Sequence, residues 1–330
     1  MSVPKGQIMR VRSLALTALT LGLGLLGASV AAADPMPGMP GMDMPGMTST
    51  APPPPASLSS AIDRSRQKPV FLQARLSGAN EVPVPGKPAV GDPKGSATGF
   101  VEVQGDKVTF AFSWKGISAP TLGHIHQGVA GVNGDVKVPL FATPMPANVT
   151  AAAGTATITD KATADGLRTN PAGFYLNLHT AEFPGGAVRG QLSPVRNPVD
   201  LLQLLQGGGL HAFLNGRQEV PVAGQPPVGD PHANAVSFVQ PSGTSVGFAF
   251  AWTSLQPTLA HIHKAPFGKN GPVVVPLIAS AMPGNIFAVA GTVTGVDPAL
   301  VRDLAQHPLS YYANLHSAQF PGGAVRGQLF

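Results

Sequence analysis

Apolar and polar positions alternate in short runs along most of this chain. Phe100-Val101-Glu102-Val103 and Lys107-Val108-Thr109-Phe110-Ala111-Phe112-Ser113-Trp114 are rich in β-branched and aromatic residues, and Gln104-Gly105-Asp106 between them predicts a hairpin. A second hairpin of the same kind is predicted later, with Pro241-Ser242-Gly243 at its turn. Gly, Pro, Asn and Asp break up the remaining runs at close intervals, so the chain reads as all-β. Short strands at this spacing predict Greek-key β-sandwich or barrel domains. One short helix is predicted per domain. Asp297 serves as N-cap and Pro298 as first residue of PALVRDLAQ, and Asp160 heads the equivalent KATADGLRT.

The pattern is written twice. His124, His126 and His179 recur as His261, His263 and His316, each 137 positions on, and Glu81, Trp114 and Arg189 recur as Glu219, Trp252 and Arg326. A near-constant offset sets two domains, residues 68–195 and 208–330, joined by a linker at 196–207. NPVDLLQLLQGGG in that connection reads as a helical turn or two before a glycine hinge. Each repeat has a full set of predicted strands and its own Trp as core anchor.

Lys5, Arg10 and Arg12, the apolar stretch Leu14 to Val30 and the small residues Ala31-Ala32-Ala33 predict a secretory signal over residues 1–33. The alternative is a retained anchor. The expected location is secreted, periplasmic or cell-surface, with no membrane segment after cleavage. Cleavage would remove three of 21 basic residues and none of 16 acidic ones, leaving a nearly neutral chain. No basic run interleaved with aromatics is present, which argues against nucleic acid. With no cysteine, both domains must rest on ordinary cores. Residues 34–67 are too rich in Pro and Gly to form a core and read as a disordered tether. Its Met36, Met39, Met42, Met44 and Met47 are spaced to offer thioethers to Cu(I), or are a biased repeat without a ligand.

The histidines carry the candidate chemistry. On a strand, residues two apart share a face, so His124 and His126 point together, as do Asn177 and His179. Two strands then present three imidazoles to one point, the ligand count of an open copper or zinc site. The other reading has them bonded to loop carbonyls or to Glu81 and Glu219. Metal binding by neutral imidazoles should weaken as pH falls through the histidine range near 6.5. Arg189 and Arg326 either pair with those glutamates or face a bound anion. His211, His232 and His307 align with Gln73, Lys94 and Asn170 and read as surface residues. Pro184-Gly185-Gly186 and Pro321-Gly322-Gly323 read as turns requiring positive φ.

LSGANEVP, the HIH before a glycine-rich loop, and NLHTAEFPGGAVRGQL closely resemble the chordin-type (CHRD) domain, and the resemblance covers both repeats. Arg217-Gln218 and Gln319 depart from it in the second copy, where the first has Ala79-Asn80 and Glu182. The resemblance implies a secreted β-domain and supplies no reaction. A weaker resemblance links Lys115-Gly116-Ile117 leading to His124-Ile125-His126, and Leu176 to His179 followed by Arg189, to the copper-zinc superoxide dismutases. It implies a superoxide-dismutase-like fold, with an immunoglobulin-like sandwich as the alternative, together with three copper-type ligands and a guiding arginine. The bridging histidine, the zinc loop and the disulfide have no counterpart here.

Three functions follow. One is a non-enzymatic exported module that binds an extracellular protein or surface ligand. The second is a copper- or zinc-handling protein, and the third a dismutase-like redox enzyme. No nucleophile elbow or phosphate loop is present, and no catalytic residue is assigned.

Overall fold

The computed structural model describes residues 66–196 and 209–330. The expected signal peptide, the methionine-rich segment and the helical turn after Arg196 lie outside the described residues.

The first repeat forms β1 (Val70–Ser77), β2 (Ser96–Gln104), β3 (Lys107–Lys115), β4 (Leu122–Gln127), β5 (Val136–Phe141), β6 (Val149–Thr157), β7 (Phe174–His179), β8 (Val188–Gln191) and the two-residue β9 (Ser193–Pro194). The second forms β10 (Leu210–Asn215), β11 (Asn234–Ser242), β12 (Ser245–Thr253), β13 (Pro257–Lys264), β14 (Val273–Ile278), β15 (Ile286–Thr294), β16 (Tyr311–Ser317) and β17 (Val325–Gln328). All pairings are antiparallel. In the first repeat the order across the ladder is β6, β3, β2, β1, β8, β7, β4, β5. The second repeats it as β15, β12, β11, β10, β17, β16, β13, β14. The protein is thus all-β with two β-rich domains.

Alternation builds the core. Along β2 every second residue is buried, so Val101 and Val103 pack inward while Phe100 and Glu102 stay half-exposed. Facing strands contribute Val108, Phe110, Phe112, Ile125, Leu176 and Leu178, all buried. Trp114 and Trp252 are core residues, as expected. The helices Lys161–Thr169 and Pro298–Gln306 form where predicted, with Asp160 accepting from Thr163 N and Asp297 from Ala299 N.

Two features differ from the sequence reading. The second hairpin turns at Gly243-Thr244, while Pro241 and Ser242 belong to β11. Ser242 pairs with Ser245, and that two-residue turn begins at positive φ, which Gly243 supplies at 58°. The repeats are also not merely strung on a linker: β6 pairs with β15, joining both ladders through one edge. The linker composition gave no sign of this. Among the described residues no helix is long and apolar enough to cross a membrane.

Candidate metal centre

In the β4–β7 register, His124 faces Asn177, His126 faces Tyr175 and Leu122 faces His179. The pleat puts His124, His126, Tyr175, Asn177 and His179 on one side and the fully buried Ile125, Leu176 and Leu178 on the other. Pairing of Asn177 with Arg189 on β8 brings the arginine to the histidine side. The second domain repeats the arrangement on β13, β16 and β17, with His261 opposite Asn314, His263 opposite Tyr312 and Asn314 opposite Arg326.

Each histidine triad has one ring nitrogen per residue within 4.8 Å of the others. His124 Nδ1 lies 3.2 Å from His179 Nε2, and His261 Nδ1 lies 3.1 Å from His316 Nε2. Backbone carbonyls orient the other rings. His126 Nδ1 is 2.9 Å from Gly134 O and His179 Nδ1 is 2.9 Å from Pro184 O. His263 and His316 use Gly271 O and Pro321 O at 3.0 and 2.9 Å. A carbonyl only accepts, so in these four rings Nδ1 carries the hydrogen and Nε2 keeps a lone pair. Nε2 of His126 and of His263 is buried with no hydrogen-bond partner among the described residues. Burial, reinforced by the neighbouring imidazoles, lowers His124 and His261 to about 4. Burial also lowers His126, His179, His263 and His316.

These are neutral donors converging in a half-buried pocket, and they fit a metal ion. Nitrogens 3.2 Å apart accept an ion at about 2.0–2.1 Å from each, and the third nitrogen lies within 4.8 Å of both. An all-imidazole set suits copper or zinc ahead of magnesium or calcium, which want oxygen.

A stack supports the triad. Tyr175 lies flat on His126, centroids 4.8 Å apart and planes 5° apart, and the Arg189 guanidinium sits 3.4 Å above Tyr175. In the second domain Tyr312 lies 4.7 Å from His263 and Arg326 3.4 Å above it. Arg189 is 1% exposed and donates to Val129 O, Val132 O and Asn133 Oδ1. Arg326 does the same with Pro266 O, Lys269 O and Asn270 Oδ1. Neither arginine forms an ion pair with Glu81 or Glu219 among the described residues. These bonds clamp the glycine-rich loop beside the triad, a role the sequence pattern did not suggest. The signal was present: Tyr175, Asn133 and Arg189 all recur at an offset of 137.

Glu81 and Glu219 sit beside the triads without joining them. Asn177 Nδ2 donates to Glu81 Oε2 and Asn314 Nδ2 to Glu219 Oε1. Burial raises both carboxyls to about 7, against the lowering effects of the nearby arginine and the asparagine bond. Gly186, at φ 139°, lets the Glu81 carboxyl pack against its backbone, where a Cβ would lie 2.6 Å from Oε1. The other histidines stay apart. His232 and His307 are exposed, His307 bonded to Asp303, and half-buried His211 lies edge-on to Phe330.

The chain matches the CHRD domain over residues 72–192 and 210–329, well over half its length. It belongs to the CHRD family. Each CHRD domain therefore carries one complete triad. No curated protein and no solved structure matches the chain.

Proposed function

We propose that this tandem CHRD protein is an exported, non-enzymatic metal-binding protein that holds one copper or zinc ion in each domain. The carrying observation is the buried Nε2 of His126 and of His263, which has no hydrogen-bond partner among the described residues although its ring is fixed by a carbonyl on the far side. A buried lone pair without a donor costs about 1–3 kcal/mol, and a metal ion removes that cost. His124, His126 and His179 would hold one ion, and His261, His263 and His316 the other. Three ligands leave a coordination position for water, an anion or a group from an extracellular partner.

Cleavage after Ala33 would release the chain, and the Met36–Met47 segment would offer soft ligands for Cu(I) beside the imidazole sites. The two-layer Greek-key arrangement of the dismutases is the finer fold reading we favour. Each domain's ladder order runs through eight strands and places His-x-His beside a third histidine strand. Dismutase-like turnover is less well supported, because the candidate guiding arginines are buried and bonded to loop oxygens.

Metal stoichiometry by plasma mass spectrometry, on untagged protein, tests this. Loaded with zinc, which thioethers hold poorly, the protein should bind two ions per chain, one after His126→Ala or His263→Ala, and none after both. Unchanged copper uptake in the double variant would move that copper to the methionine segment. No uptake by the wild type would leave the histidines structural.

A further inference from the structure

The β6–β15 junction has an internal symmetry that the metal sites do not explain. Residues 137 apart are equivalent in the two domains, and the pairing respects that equivalence. Ala152 faces Val289 at the centre, Ala151 faces Ala290 as Ala153 faces Ala288, and Val149 faces Gly291 as Gly154 faces Ile286. The two register irregularities lie on either side of that centre. Hydrogen bonds follow the same rule. Thr155 N donates to Asn285 O and Thr292 N to Asn148 O, both at 3.0 Å. Asn148 Nδ2 donates to Leu277 O, and Asn285 Nδ2 to Leu140 O. A Cβ on Gly154 would lie 2.8 Å from Asn285 O, and one on Gly291 would lie 2.0 Å from Asn148 O. Ala111, Ala151, Ala153, Ala249, Ala288 and Ala290 pack there as an apolar cluster separate from the main core.

In an isologous contact, residue i meets j while j meets i, so both partners present the same patch. Here each domain carries both halves of every reciprocal bond: an Asn amide with a Leu carbonyl, a Thr N–H with an Asn carbonyl, and a glycine that admits that carbonyl. Pairing one domain with a copy of itself would set Ala152 against Ala152, or Val289 against Val289, and would lose none of the reciprocal bonds. One contact lacks a counterpart, the bond from Asn285 Nδ2 to Thr155 O. We propose that this edge is a self-complementary docking surface whose partner is a second copy of the same domain. The intact chain fills the edge internally, and two chains can fill it by exchanging domains.

The full chain, carrying a protease site within residues 197–208, provides the test. It is folded, cut, and mixed with isotope-labelled cut protein in mild urea until label has scrambled between pairs. Native mass spectrometry then counts the species after urea is removed. Three pairs are expected: first with second, first with first, and second with second. Scrambled label with the mixed pair alone, or with separate halves only, would overturn the proposal. Asn148→Ala adds a graded check. One lost bond should weaken the mixed pair about 5-fold, two lost bonds the first–first pair about 25-fold, and the second–second pair should be unaffected. Equal weakening of all three would also overturn it.

Discussion

His124 Nδ1 and His179 Nε2 face each other at 3.2 Å across β4 and β7, and His261 and His316 do the same at 3.1 Å in the second domain. His179 Nδ1–H is directed at Pro184 O, so its Nε2 can only accept. In the metal-free protein His124 must then carry its hydrogen on Nδ1. A metal bound at Nδ1 displaces that hydrogen to Nε2. Nitrogen-15 NMR should show His124 and His261 changing tautomer on metal loading, with the other four histidines Nδ1–H throughout. A metal-free His124 already in the Nε2–H form would contradict this.

Acid should remove metal later than free imidazole suggests. Burial holds His124 and His261 at about 4, below the ordinary 6.5 that the sequence reading assumed. Protons therefore compete for these nitrogens only at lower pH. A metal-release titration should have its midpoint below 6.5, and a midpoint at or above 6.5 would show that burial does not protect the sites.

Metal-free stability should carry two opposed pH dependences. A lowered histidine binds fewer protons folded than unfolded, so stability is full above 6.5 and falls as pH drops towards about 4. A raised glutamate binds more protons folded, so Glu81 and Glu219 favour the fold below 4.5 and withdraw that support as pH rises to about 7. With three lowered histidines per domain against one glutamate, acid destabilisation should prevail between 6.5 and 4. In Glu81→Gln with Glu219→Gln the loss on acidification should steepen, because the opposing dependence is gone. Melting temperatures across pH 4–8 would show it, and an unchanged slope would count against buried, raised carboxyls.

Arg189→Met should destabilise the first domain by about 2–3 kcal/mol, because Val129 O, Val132 O and Asn133 Oδ1 lose their donors. Arg189→Lys should recover little, since an ammonium cannot stack on Tyr175 while reaching all three oxygens. Urea unfolding measures both, and wild-type stability in either would mean that water serves the loop equally well.

Gly186→Ala should cost roughly 1–3 kcal/mol and also weaken metal uptake in the first domain. Its Cβ would strike the Glu81 carboxyl, and relief requires moving the turn whose Pro184 carbonyl orients His179. Calorimetric titration of the variant should show one weakened site beside one normal site. Two normal sites would separate the turn from the centre.

The sequence was informative where local rules act alone. The shared face of His124 and His126 follows from the two-residue period of a strand, and Asp160 and Asp297 cap helices by a local hydrogen bond. It was silent where distant segments meet. Nothing around Ala152 or Val289 announces that these residues face each other, because small apolar residues suit many buried surfaces. The partners of Arg189 were hidden for a related reason: its neighbours in the sequence pattern suggest a glutamate or an anion, whereas two of its three acceptors are main-chain carbonyls that every residue has. Only Asn133, repeated as Asn270, marks the loop end of that contact.

The arginine clamp has a consequence for which changes the loop can absorb. Residues 129–134 read VAGVNG and residues 266–271 read PFGKNG, so three of the six side chains differ while the number of residues is the same. Two of the three acceptors in each loop are main-chain oxygens, indifferent to the side chain they accompany. Inserting or deleting one residue would carry those oxygens out of register with a guanidinium that cannot follow. The loop is therefore open to substitution and closed to changes of length, so its chemistry can be rewritten beside a centre whose position stays fixed.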